Sequence, residues 1–187
     1  MATPKIVIKE GVGEAFQEYG VKTIWDYVVE NDLAFVGSKV LSIATGSSVD
    51  VLFANPSGSE KTLKVRLLAT QGTADGQVDI YIGSYGTTGT EDIVKTADGT
   101  DIPILNKNVG GTNTSVAVFQ YGGTYDLNVT DHTEALIPGG TGIHATGGSS
   151  TIGLAGEILE GYGILVRISN ISGAGANYAI RIEWWEE

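Results

Sequence analysis

Two stretches late in the chain, Tyr162–Asn170 and Asn177–Glu187, alternate with a period of two and leave few folds open. In the first, Ile164, Val166 and Ile168 point one way while Leu165, Arg167 and Ser169 point the other. In the second, Tyr178, Ile180, Ile182 and Trp184 share a face opposite Ala179, Arg181 and Glu183. Successive side chains of a strand stand on opposite sides of its sheet, so the pattern predicts two half-buried β-strands. The link between them, Ile-Ser-Gly-Ala-Gly-Ala, turns without steric cost. It is longer than a two-residue hairpin loop, so pairing of the two strands with each other is favoured but not forced. A terminal strand built into a sheet is needed by the fold, and its removal is expected to unfold the domain.

The same alternation recurs upstream from Phe35 onward, in Lys39–Ala44, Val49–Ala54, Leu63–Ala69, Gln77–Gly83, Ser115–Tyr121 and Ile152–Glu160. Thr45-Gly-Ser-Ser and Asn55-Pro-Ser-Gly separate the first of these, because Pro fixes φ and Gly admits positive φ. A long polar region, residues 84–113, holds only Ile102–Leu105 as an orderly segment, and long loops in compact domains usually carry function or meet a partner. A hydrophobic fraction of 42% is too high for disorder, and the 27 glycines follow no collagen-like period. The expectation is one all-β domain over residues 37–187, an antiparallel β-sandwich of jelly-roll type.

Residues 1–36 read as a short N-terminal arm. Lys5–Glu10 alternates weakly, as a short strand would. Glu14–Glu30 has some helical character, yet Gly20 interrupts it and Thr23–Val29 alternates nearly as well, so helix and strand both stay open. The arm's aromatic side chains Phe16, Tyr19, Trp25 and Tyr27 are candidate contacts with a second subunit or a larger assembly, and so is Trp185. Trp185 and Trp184 project to opposite faces of one strand, one closing the core and the other either exposed or packed beneath the arm.

Charge and composition exclude several roles. A net charge of −11 argues against coating nucleic acid or an anionic membrane. The absence of cysteine excludes disulfides, thiolate chemistry and sulfur-bound zinc. No apolar run reaches transmembrane length, and Met-Ala-Thr-Pro-Lys lacks the order of a signal peptide, so synthesis in a cytoplasm is expected. His132 and His144 fall in polar or glycine-rich segments. As metal ligands they would need each other plus Asp131 or Glu134, and they read more simply as solvated loop histidines. Asp75–Asp79 and Asp98–Asp101 have the oxygen-rich look of calcium loops, but Asp-Gly is first a turn signal. Gly139-Gly-Thr-Gly and Gly147-Gly-Ser-Ser lack the lysine and helix of a phosphate cradle, and no Gly-x-Ser-x-Gly occurs. A polysaccharide hydrolase would need facing carboxylates such as Asp79 and Glu157, which nothing in the sequence brings together. Arg167 and Glu183 are candidates to pair with each other across the sheet. Tyr81, Tyr85, Tyr121 and Tyr125 flank loops and are candidates to line a sugar site. No enzyme, cofactor or metal is expected.

Val49-Asp-Val-Leu-Phe, Lys61–Ala69, Val78-Asp-Ile-Tyr-Ile-Gly, Asn106-Lys-Asn with Asn113, Leu136-Ile-Pro-Gly-Gly, Leu165–Gly173 and the closing Ile180-Arg-Ile-Glu-Trp-Trp-Glu occur in an informative order. In that order, over roughly residues 40–187, the chain resembles a family of small structural proteins of tailed bacteriophages. The resemblance implies a β-sandwich virion component. From it follows the expectation of a phage or archaeal-virus protein that decorates and cements the outer capsid surface. Such a protein would bind the major capsid protein and itself, as a homotrimer on a symmetry axis. The alternative is a tail or fibre-tip module that binds host glycans through its long loops, with Tyr85, Tyr121 and Tyr125 at the ligand.

Overall fold

The computed structural model describes residues 24–129, 132–137 and 156–187. Helix α1 (Ile24–Glu30) is followed by β1 (Ala34–Ile43), β2 (Ser48–Asn55), β3 (Leu63–Gly72) and β4 (Gly76–Gly86). Five short strands come next: β5 (Ile93–Ala97), β6 (Thr100–Asp101), β7 (Ile104–Asn106), β8 (Val118–Tyr121) and β9 (Thr124–Leu127). The series closes with β10 (Thr133–Ile137), β11 (Glu157–Ile158), β12 (Tyr162–Asn170) and β13 (Ala176–Glu186). One sheet runs β11-β3-β13-β1-β7; the other runs β6-β8-β2-β12-β4-β5-β9, with β10 also paired to β4. The chain is an all-β sandwich of these two sheets. All strand pairs are antiparallel except β4 with β5.

β12 and β13 do not pair with each other. β12 lies between β2 and β4 in one sheet, and β13 lies between β3 and β1 in the other. The five residues between them cross the sandwich, a span of about 10 Å that extended chain covers at about 3.3 Å per residue. β1 to β2 and β3 to β4 cross in the same way. The face assignments from sequence hold on both strands: Ile164, Val166 and Ile168 meet Tyr178, Ile180, Ile182 and Trp184 in one core. Leu165 is buried as well, because the outer face of β12 is itself covered.

Trp184 anchors the main core. Phe35 stacks on it at 6.0 Å, and Phe53 and Phe119 meet it edge-on at 4.8 and 6.5 Å. Such pairs add roughly 0.5–1.5 kcal/mol each beyond the area they bury. Gly37 admits the Phe119 ring; a Cβ there would lie 2.4 Å from it. Tyr178 covers Gly72 and Gly76 in the same manner, and its hydroxyl donates to Asp75 O at 2.7 Å and approaches Asn170 Oδ1 at 3.1 Å.

A second apolar cluster lies on the far side of the eight-stranded sheet, where Ile93, Tyr125 and Leu127 pack on Leu52, Ala54 and Leu165. The polar region 84–113 is therefore less irregular than its composition suggests, since it contributes β5, β6 and β7. β1 begins at Ala34, within the residues 1–36 read as an arm, and pairs there with Trp185. The strand expected at Lys5–Glu10 lies outside the described residues.

Candidate functional site

Within the stretch Thr23–Val29, which the sequence left open between helix and strand, the described residues are helical from Ile24. Asn31, Asp32 and Leu33 donate back to Tyr27, Val29 and Val28 at 3.1, 3.2 and 2.9 Å. Asp32 then adopts φ 61°, a left-handed conformation that ends helices. Contacts made far along the chain hold the described turns of this helix in place. Trp25 supplies the dock. The Arg66 guanidinium lies 4.2 Å from its ring centroid, Lys107 Nζ lies at 5.7 Å, and Trp185 meets it edge-on at 6.3 Å. Trp25 and Trp185 are thus each other's partners, the packing beneath the arm that the sequence left open.

Glu183 organises the cations around Trp25. It is buried, and accepts hydrogen bonds from Arg66 Nη1 and Arg181 Nε at 3.0 Å each, with Lys107 Nζ at 3.5 Å. Burial alone would raise its pKa. The Arg181 hydrogen bond and the charges of Lys107, Arg181 and Arg66 outweigh burial and hold the carboxyl below its ordinary value. Glu183 and Arg167 do not pair: they lie in different sheets, and Arg167 grips Asp50 through Nε and Nη2 at 2.8 and 2.9 Å.

The turn after α1 is tied to the asparagine-rich loop. Asn106 Nδ2 donates to Asp32 O at 3.1 Å, and Asn108 Nδ2 donates to the Asp32 carboxylate. This corner leaves Ile24, Tyr27, Leu105 and Val109 exposed, Val109 completely. Phe16 and Tyr19 lie outside the described residues.

The loop tyrosines do not form one platform. Tyr125 is buried on β9 and Tyr85 packs beside it at the end of β4. Tyr121, on β8, packs against the main core with Lys39 Nζ 4.8 Å from its ring. Burial, with the nearby charges of Tyr85, Asp50 and Asp98, pushes the Tyr125 phenol pKa well up.

Across the outer face of the eight-stranded sheet, register places Asp50, Arg167, Asp79 and Glu134 in one row on β2, β12, β4 and β10. His132 joins it, stacked on Tyr81 at 5.0 Å and 27°. The sequence set His132 beside Glu134 as conditional metal ligands and marked Asp79 apart; strand register is what adds Asp79 to them. Glu157, the other carboxylate of the hydrolase reading, pairs with Lys64 on β3 of the opposite sheet and does not face Asp79. No family model matches the chain, and a search of curated proteins finds no match.

Proposed function

We propose that the chain is a virion structural protein that decorates the outer capsid surface, binding between subunits of the major capsid protein and cementing the shell. The observation that carries this reading is the set of exposed apolar side chains, Ile24 and Tyr27 on α1 and Leu105 and Val109 on the segment hydrogen-bonded to the turn after it, on a framework fixed by Trp25 and Asp32. Exposed large apolar side chains on elements held together in this way are candidates for a contact surface. The strand order adds support. β11-β3-β13-β1 against β10-β4-β12-β2, with most chain connections crossing between the sheets, is in keeping with a jelly roll, an architecture used by viral coats and lectins. That likeness is one of fold, and the corner is what favours assembly over sugar binding. A partner that binds only the assembled lattice stabilises that lattice by mass action.

Copy number in purified virus particles tests the proposal. Quantitative mass spectrometry is expected to find this chain at a level comparable to the major capsid protein. A handful of copies per particle would replace decoration with the tail or fibre-tip reading, and absence from particles would overturn both. Tyr27→Asp combined with Leu105→Asp alters exposed positions only, and is expected to weaken binding to empty shells at least tenfold while leaving the fold intact.

A further inference from the structure

We infer that Asp79, His132 and Glu134 form a binding site for a first-row divalent cation, with zinc as the best match. One ligand atom from each lies within 4.8 Å of the other two. The arrangement follows from the sheet. Glu134 on β10 is the register partner of Asp79 on β4, which sets two carboxylates opposite each other. Like charges directly opposed across a strand pair are destabilising.

Asp79 makes the opposition costly, because it is only 8% exposed. Among the described residues its carboxylate takes one hydrogen bond, from Gln77 Nε2 to Oδ1 at 2.7 Å, and makes no ion pair within 4 Å. Arg167, the register neighbour on its other side, feels the Asp79 charge but gives its two hydrogen bonds to Asp50. A buried carboxylate without an ion-pair partner calls for a compensating charge. With imidazole neutral, the row Asp50–Arg167–Asp79–Glu134 sums to −2, which a divalent cation balances.

The surroundings also orient the ligands. Tyr81 stacks on the His132 ring and limits its rotation, and Gln77 holds one oxygen of Asp79. Metal sites depend on such outer contacts to present their ligands. One imidazole with two carboxylates suits zinc or a neighbouring first-row ion better than magnesium or calcium, which prefer oxygen alone. Three protein ligands leave coordination positions open to water or to a donor on a partner. The bound ion would fasten β10 to β4.

Isothermal titration of the full-length, chelator-stripped protein with Zn²⁺ tests the site. One equivalent is expected to bind with a micromolar dissociation constant and to raise the melting temperature. His132→Ala and Glu134→Gln change exposed side chains, and each is expected to weaken binding at least tenfold with an unchanged circular dichroism spectrum. Glu157→Gln, on the opposite sheet, is expected to leave binding unaltered. Failure to bind at 1 mM zinc, or affinity indifferent to His132→Ala, would overturn the site and leave the contact of His132 with Glu134 at 3.0 Å as a hydrogen bond of the sheet's outer face.

Discussion

Tyr178 and Tyr125 are both buried, yet their hydroxyls meet different surroundings. The Tyr178 hydroxyl bonds Asp75 O and Asn170 Oδ1, and Asn170 also donates to Ile43 O and Ala174 O, linking the ends of β1 and β12 to the crossing segment. Among the described residues, the Tyr125 hydroxyl is buried with no hydrogen-bond partner. Removing a satisfied hydroxyl leaves its partners wanting, whereas removing an unsatisfied one relieves a desolvation cost. Tyr178→Phe is therefore expected to destabilise the protein by about 1–2 kcal/mol, and Tyr125→Phe to be neutral or to stabilise it by up to about 1 kcal/mol. Urea denaturation of the two variants side by side checks both signs. Neither difference was legible in the sequence, where Tyr125 sits in a polar stretch and resembles a solvent-facing side chain. Its burial comes from Leu52 and Leu165, apolar residues on the outward face of central strands, which oblige another segment to cover them.

At the scale of elements, α1 depends on contacts made far along the chain. Trp25→Ala removes the cation–π contacts of Arg66 and Lys107 and the aromatic edge contact with Trp185, and is expected to release the helix while the sandwich persists. A loss of about 1–2 kcal/mol should appear in denaturation, with early proteolysis near Glu30 as the local sign. Acid acts on the same dock. The folded-state pKa of Glu183 lies below its unfolded value, so its stabilising contribution is complete above the ordinary carboxylate range and is lost as pH falls through the lowered pKa. Tryptophan emission is expected to shift red as pH falls below about 4.5, and Glu183→Gln to remove that dependence. The faces of β12 and β13 were legible because alternation is local. Their partners were not, because pairing depends on register between distant strands and on which sheet each crossing enters. Likewise the row holding Asp79, Glu134 and His132 joins β4 to β10, more than fifty positions apart in sequence.

For the whole molecule, the proposed role rests on association, and it has a consequence in solution. A decoration protein seated on a three-fold axis is expected to sediment as a trimer, at roughly three times 19.5 kDa. Tyr27→Asp with Leu105→Asp should return it to monomer if the same corner joins the copies; sedimentation velocity of both proteins checks this. A net charge of −11 leaves the remaining surface repulsive toward other particles, in keeping with a coat that stays dispersed. β13 adds a constraint of another kind. β1 and β3 flank it and do not pair with each other, so both wait for a strand that begins at Ala176, about a hundred residues beyond the end of β3. At about 5–20 residues per second, ribosomes leave that gap open for about 5–20 seconds. Throughout this interval each newborn copy presents two unfilled strand edges to its neighbours on the same message, so yield in the cell depends on shielding a nascent chain as much as on the strength of the finished sandwich.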